Sequence, residues 1–169
     1  MISVVEPTSN ELLVDMYRDH YRSLVRLASL LLDDRAASEE VVQDAFVALF
    51  RRWDSVADPA RRVSYLRSAV LNGARSRSRR RLVRRKLVLV EPAAGESAET
   101  GALRAEDRRE VIDALRGLSD RQRECLVLRY YLDLTEAEIA ATLGISAGSV
   151  KTHTHRAMAA LERALEPNR

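Results

Sequence analysis

The fold of this chain is decided near its carboxyl end, by residues 138–157, EIAATLGISAGSVKTHTHRA. Ala140, Gly144 and Val150 are spaced as in a helix-turn-helix. That motif needs a small residue where two helices touch, a glycine at the turn and an apolar residue that packs back. Ser146 can cap the second helix. A plain helical hairpin with the same spacing is the alternative, but three spaced residues and a cap favour the helix-turn-helix.

The second helix of such a motif enters the major groove of DNA, so its outward side chains become candidate DNA contacts. Lysine and arginine can contact guanine edges or phosphates, and threonine and histidine can do either. The predicted outward residues are Ser149, Lys151, Thr152, His155 and Arg156. His153 lies where an inward-leaning residue is common, so packing and DNA contact both stay open for it.

Four short helices are predicted in the second half of the chain. The first spans Leu103 to Leu118, and Ser119 and Thr135 each begin a capping box that opens a later helix. The residues expected to face inward on the first of these helices are Val111, Ile112 and Leu115. Cys125, the only cysteine, lies between apolar residues and is predicted to be a small core residue rather than a redox group.

Three helices are predicted in the first half, from the recurrence of apolar residues at steps of three and four. The first runs from about Leu12 to Leu31 and the second from about Arg35 to Trp53. The third begins near Ala60 or Val63, after the loop marked by Asp58 and Pro59. The predicted buried stripe of the second helix is Val41, Val42, Ala45, Phe46, Leu49, Phe50 and Trp53.

Positive charge is concentrated where the third helix continues. Residues 61–86 hold eleven arginines and lysines and no acidic residue, ending in RSRSRRRLVRRK, although the net charge of the chain is only +3. Such a block indicates a polyanionic partner, and acidic patches elsewhere indicate a second, different partner. A solvated or disordered charge run is the plainer alternative.

Composition limits the other classes of function. No Cys/His set has zinc spacing, and no nucleophile–base pair or phosphate loop is present, so we predict neither an enzyme nor a cofactor. The first residues have no signal-peptide pattern and no apolar run could cross a bilayer, so a cytoplasmic protein without membrane insertion is expected. The fold class is predicted as all-α, with two small helical domains.

These motifs, taken together, resemble those of bacterial extracytoplasmic-function (ECF) sigma factors, in group 4 of the sigma-70 family. The resemblance is carried by EEVVQDAFVALFRRW, YLRSAVLNGARSRSRR and LSDRQRECLVLRYYLDLTEAEIAATLGISAGSVKTHTHRAMAAL, in this order. It implies sigma region 2 over 11–86 and sigma region 4 over 103–166. The residues between them, 87–102, are predicted to be a flexible linker because Pro, Gly, Ala, Ser and Glu replace the apolar period there, and residues 1–10 are predicted to be disordered. The resemblance also implies a chain that binds core RNA polymerase and directs promoter recognition, DNA melting and transcription initiation at the bacterial nucleoid.

The resemblance also implies roles for particular residues. Glu40, Gln43 and Asp44 match the surface that docks on the clamp helices of the largest polymerase subunit, although their spacing alone would fit a solvated face. The loop from Asp54 to Arg62 and the helix after it match the reader of the minus-ten element as an unwound strand. The residues along one face of that helix are Ser68, Asn72, Arg75 and Arg79.

Region 4 matches the reader of the minus-thirty-five element in duplex form and the partner of the flap of the second-largest subunit. Many members of the family are held inactive by an anti-sigma factor, which makes such a protein a further expected partner. Within the arginine run, Arg75 to Arg79 are expected to be helical and specific, and Arg81 to Lys86 only electrostatic or mobile.

Two other classes of protein stay open at this point. The text SVKTH also resembles LuxR-type regulators, which bind duplex DNA without acting as a polymerase subunit. That alternative leaves the Glu40, Gln43 and Asp44 face and the Asn72 helix without a function. An RNA-binding or purely structural basic protein would explain the arginines but not the helix-turn-helix.

Overall fold

The computed structural model describes residues 8–32, 34–87 and 102–166, with side chains described in 8–32, 34–80 and 109–166. Within these ranges the chain is helical and has no strand, which confirms the predicted all-α fold. The helices are α1 (Ser9–Leu31), α2 (Arg35–Phe50), α3 (Pro59–Leu87), α4 (Ala102–Arg116), α5 (Asp120–Tyr130), α6 (Glu136–Leu143) and α7 (Ala147–Leu165), with a short 3-10 helix at Trp53–Ser55.

The first half of the chain packs α1, α2 and α3 around a common apolar core. Leu27, Leu49, Leu66 and Val70, spread over the three helices, are all fully buried. Helix α3 comes so close to α2 that a β-carbon added at Gly73 would lie 2.8 Å from a methyl group of Val41. A glycine is therefore required at this position for the two helices to pack at this distance.

The second helix is shorter than predicted, and its apolar stripe is narrower. It ends at Phe50, and Trp53 instead lies in the 3-10 helix that follows. Trp53 is buried, but Phe50 is 55% exposed, so the prediction that Phe50 belongs to the core is wrong. Phe50 lies at the edge of the apolar stripe, next to the exposed Gln43 and Val47 on the helix surface, so the neighbouring helices do not cover it. Trp53 turns inward because the chain leaves the α-helix after Phe50, and Arg62 lies over its ring.

The second half forms four helices, as the sequence predicted. Thr135 with Glu138 and Ser119 with Gln122 both make the predicted capping boxes. Leu115 and Leu118 are buried with Leu126 and Ala157 in a small core cluster. Val111 is 42% exposed, contrary to its predicted inward position, because the buried partners of α4 gather at its carboxyl-terminal end.

The two halves share one continuous apolar cluster. It joins buried residues of α1, α2 and α3 to buried residues of α5, α6 and α7. The predicted linker, 87–102, lies almost wholly outside the described residues, as does the predicted disordered segment 1–10 except for its last three residues. Of those, Thr8 caps α1 and Ser9 begins it. The domain boundaries stay a prediction.

Candidate nucleic-acid interface

The turn before α7 sets the direction of the candidate recognition helix. Gly144 ends α6 in the left-handed conformation, with φ of 65°, and its amide donates to the carbonyl of Ala140. Ser146 then caps α7 by accepting from the amide of Ser149 at 3.1 Å. Since Val150 is fully buried, the opposite side of α7 must face outward.

The outward side of α7 carries the residues that the sequence predicted there. The side chains of Lys151, Thr152, His155 and Arg156 are exposed, whereas Ser149 is half-buried. The Thr152 hydroxyl donates to the carbonyl of Gly148 at 2.9 Å, which leaves its oxygen available chiefly as an acceptor. The two cations and His155 are thus the donors that α7 presents to a ligand. His153 is half-buried, as an inward-leaning residue would be.

The residues of α3 that were predicted to bind DNA differ in how exposed their side chains are. Asn72 and Arg79 are exposed and Ser68 is half-buried. The Arg75 side chain is only 22% exposed. One of its terminal nitrogens lies 3.4 Å from the amide oxygen of Asn72, so these two residues are neighbours on the helix surface as predicted.

Arg75 is engaged by the second half of the chain. Its Nε donates to one carboxylate oxygen of Glu124 and its Nη2 donates to the other at 2.8 Å. Glu124 lies on α5, is 5% exposed and also accepts from Arg121 at 3.1 Å. The hydrogen bonds that Arg75 donates to Glu124 raise the pKa of Arg75, which keeps the guanidinium charged. Sequence patterns gave no signal for this pair, because its members are far apart in the chain.

The loop ahead of α3 is held by a buried arginine. Arg62 lies with its guanidinium carbon 3.7 Å from the centre of the Trp53 ring. Its Nε donates to the carbonyl of Val56 at 2.6 Å. Such a stacked and hydrogen-bonded guanidinium fixes both ends of the loop. Arg62 therefore positions the loop instead of offering its charge to a ligand, whereas Arg61 beside it is exposed.

The third predicted surface is the polar face of α2. Glu40, Gln43 and Asp44 are all exposed. Glu40 pairs with Arg77 of α3 at 2.7 Å, which ties this face to the basic helix. Val47, one turn beyond Asp44, is 50% exposed and next to the exposed Phe50. The surface thus combines acidic and apolar groups. Sequence reasoning missed the apolar part, because it placed Phe50 in the buried stripe and assigned Val47 no role.

Other kinds of site find no support in the part of the chain that the structure describes. No group of three or more histidine, cysteine or acidic side chains there could hold a metal ion. None of the described helices is both long and apolar enough to cross a bilayer. Cys125 is fully buried, and burial, with Glu124 nearby, raises its pKa to about 11. Its thiol therefore stays protonated near neutral pH, as a core residue would.

Comparison with known proteins gives matches on both halves of the chain. The family model for Sigma-70 region 2 matches residues 16–84. The family model for Sigma-70, region 4 matches residues 108–161. The first match includes α2 and nearly all of α3, and the second includes the helix-turn-helix.

Relatives and solved structures extend the match to nearly the whole chain. The RNA polymerase sigma-E factor of Streptomyces avermitilis is 34% identical, over 88% of this chain and 82% of its own. The ECF RNA polymerase sigma factor SigL of Mycobacterium tuberculosis is 31% identical, over 89% and 87%. The sigma factor RpoE from Bartonella quintana, solved with the anti-sigma factor NepR, has the same fold, with a TM-score of 0.74, 24% identity and coverage of 92% and 98%.

Proposed function

This chain belongs to the ECF sigma factors of the sigma-70 family, and on that premise we propose which of its surfaces bind core RNA polymerase and which bind promoter DNA. As a sigma factor it is an initiation subunit, and its relatives act through binding instead of catalysis. The observation that carries the proposal is the presence of three separate surfaces, on α2, α3 and α7, in one chain of this family. Each surface has a chemistry suited to a different ligand.

The α2 surface is the proposed docking site for the clamp helices of the largest polymerase subunit. Its exposed Gln43 and Asp44 offer hydrogen-bond acceptors, and Val47 and Phe50 add apolar area beside them. Polar and apolar groups combined in one exposed patch are usual in protein interfaces. A negative face would also be repelled by DNA, so it suits a protein ligand better than a nucleic acid.

The α3 surface is the proposed reader of the minus-ten element. The exposed amide of Asn72 can donate to and accept from base edges that are open only in an unwound strand. Arg79, one turn beyond Arg75, can follow the phosphates. The loop fixed by Arg62 lies at the amino-terminal end of the same helix, so strand and loop contacts can act together.

The α7 surface is the proposed reader of the minus-thirty-five element in the duplex. Lys151, His155 and Arg156 lie on the outward side of a helix-turn-helix, where they can reach base edges and phosphates in a major groove. The flap of the second-largest subunit is the proposed polymerase partner of this half. With both of its proposed ligands at the nucleoid, the chain is placed there, in the bacterial cytoplasm.

An anti-sigma factor is a further proposed partner. NepR is bound to RpoE in the fold-related structure, which is a property of that chain. For this chain the proposal comes from family membership. The LuxR-type alternative is not favoured, because the first half matches sigma region 2 across residues 16–84 and so has a function of its own.

Run-off transcription tests the proposed function directly. The full chain is mixed with core RNA polymerase lacking any sigma factor and with a pool of genomic promoter fragments, and defined transcripts that depend on the chain are expected. DNA binding in the absence of polymerase binding would contradict the proposal and favour the LuxR-type reading.

The docking assignment is tested by Asp44→Arg, which places a cation in the proposed polymerase interface. Polymerase binding is expected to fall by at least about 100-fold, because an unpaired charge of the wrong sign is costly in an interface. The matched control is Asp15→Arg, the same reversal at an exposed aspartate of α1. Normal holoenzyme formation by Asp44→Arg, measured by gel filtration with core polymerase, would refute the assignment.

A further inference from the structure

The two halves of the chain are joined by polar contacts as well as by the shared core. The Tyr131 hydroxyl donates to the carbonyl of Ser23 at 3.2 Å. Arg123 donates from Nη1 to the carbonyl of Leu31, also at 3.2 Å. Together with the pair between Arg75 and Glu124, these bonds connect α1 and α3 to α5 and to the residue that follows it. The halves therefore meet through a specific surface.

Glu124 makes this contact specific, because its buried carboxylate needs partners from both halves of the chain. A carboxylate that is 5% exposed is costly to bury unless cations and hydrogen bonds compensate for the lost water. Arg121, on the same helix, supplies one such bond, and Arg75 supplies two from the other half. The packed arrangement is thus what satisfies Glu124, and Glu124 in turn occupies the Nε–Nη2 edge of Arg75, the edge that would bind a phosphate in bidentate fashion, while Nη1 lies near Asn72.

The contact occupies one residue, Arg75, of one proposed DNA surface and leaves the other surfaces open. Arg75 lies between Asn72 and Arg79 on the α3 face, and its guanidinium cannot hold Glu124 and a DNA phosphate in the same way at once. The exposed residues of α7 and the Asp44 face of α2 take no part in the contact. The packed chain can therefore meet polymerase while the strand-reading face is partly occupied.

The distance between the two promoter elements also indicates that the packed chain is not the form that binds both of them. Two elements centred about 25 base pairs apart are separated by about 85 Å at 3.4 Å per base pair. A compact chain of 169 residues has a radius of gyration of about 15 Å, and so a diameter near 40 Å. The packed chain cannot span both elements, so the halves must separate before α3 and α7 are both bound.

We propose that the α3 face is an interaction surface for α5 of the same chain, and that Glu124 excludes single-stranded promoter DNA from Arg75 until the halves separate. The proposal rests on the proposed function for the role of α3 in DNA binding. Its chemistry is a competition between one buried carboxylate and the phosphates of a DNA strand for the same guanidinium. Opening exchanges the Glu124 pair for the DNA contact.

Two charge-removing variants of the full chain test the proposal. Glu124→Gln and Arg75→Gln each remove one charge from the pair, and both are expected to increase the radius of gyration measured by small-angle scattering without DNA. Binding to a fluorescein-labelled 20-nucleotide single strand of mixed sequence separates them. Affinity is expected to rise about tenfold in Glu124→Gln, because more of the chain is binding-competent, and to fall in Arg75→Gln.

Asp113→Asn is the matched control, because it removes the same charge from the second half at an exposed i,i+3 pair with Arg116. It is expected to change neither the radius of gyration nor DNA affinity beyond about twofold. An unchanged radius in both variants of the pair would overturn the interaction surface. A larger radius with unchanged DNA affinity in Glu124→Gln would overturn the exclusion of DNA. The scattering measurements contain no polymerase. A failure of this proposal can therefore be distinguished from a failure of the proposed function in run-off transcription.

Discussion

The two proposed DNA-binding helices, α3 and α7, differ in how they present their cations. On α7, Lys151 and Arg156 are exposed on the outward side of the helix-turn-helix. On α3, Arg75 is held by a buried carboxylate of the other half, although Asn72 and Arg79 beside it are exposed. The proposed duplex reader is thus exposed in the packed chain, whereas one arginine of the proposed strand reader is bound by a carboxylate of the same chain.

If the proposed assignments hold, two basic helices of one chain differ in availability because of what packs beside them. A duplex exists before initiation, so the proposed duplex reader α7 would have a target as soon as the protein meets DNA. An unwound strand exists only once melting begins, so the proposed strand reader α3 is not needed before that step. The two faces therefore suit two successive steps, and variants on each should affect different steps.

The largest effects expected in the comparison of α3 with α7 come from Asn72→Ala and Arg156→Ala, which should separate the two steps. Asn72→Ala is expected to slow promoter opening about tenfold or more and to leave upstream duplex protection intact. Arg156→Ala is expected to weaken upstream duplex binding about tenfold, the usual order for one lost base contact, without altering melting once bound. Footprinting reports duplex protection, and permanganate reactivity of unpaired thymines reports opening.

Arg163→Ala serves as the control for this comparison, since Arg163 is exposed on α7 but lies two turns beyond Arg156 and donates to the carbonyl of Ala159. It should leave both readouts nearly unchanged. If Asn72→Ala opened promoters at the normal rate, the assignment of α3 to the minus-ten element would be wrong. An unaltered upstream footprint with Arg156→Ala would count against α7 in the same way.

Intermediate effects, on the free energy of unfolding, are expected from a glycine-to-alanine substitution made once on α3 and once on α7. Gly73→Ala places a methyl group against Val41 on α2 and should destabilise the chain by about 1–2 kcal/mol through overpacking. Gly148→Ala, in the first turn of α7, meets only the Ser146 hydroxyl at an ordinary distance of 3.9 Å. It should be neutral or stabilise by up to about 1 kcal/mol, because alanine is the better helix former. Urea unfolding measures both, and equal effects would contradict the close α2–α3 packing.

The smallest effect is expected from the pH dependence of the cap that begins α6, ahead of α7. Hydrogen bonds from the backbone and hydroxyl of Thr135, with Arg67 nearby, lower the pKa of Glu138 below its ordinary value of 4.5. Its stabilising contribution is therefore present above pH 4.5 and is lost as the pH falls through the lowered folded value. Glu138→Gln should flatten the loss of unfolding free energy in this acid range, measured by urea titrations at several pH values.

Glu136→Gln is the control for the cap, since it removes the same charge from the first turn of α6 and leaves the capping box intact. An identical acid profile in the two variants would show that the capping hydrogen bonds do not carry the dependence. Arg67 comes from α3, so the response of Glu138 also reports, weakly, on the packing of the two halves.

Local patterns in the sequence were enough for the helices and their ends. Capping boxes at Ser119 and Thr135, and the left-handed turn at Gly144, depend on residues within four positions of each other, and all three form. The outward faces of α2 and α7 followed from helical periodicity in the same way. Periodicity failed at Phe50 and Val111, since it says which residues share a face but not how far a neighbouring helix covers that face.

Local spacing and motif order were enough to predict an all-α chain, its helix-turn-helix, its basic third helix and its family. The stacking of Arg62 over Trp53 and the pairing of Arg75 with Glu124 became visible only in the folded chain. Partners separated by 49 positions share no periodicity, so the chain reveals them only when folding brings α3 and α5 together. Charge composition identified a basic surface, and packing decided which of its cations are exposed and which are already paired within the chain.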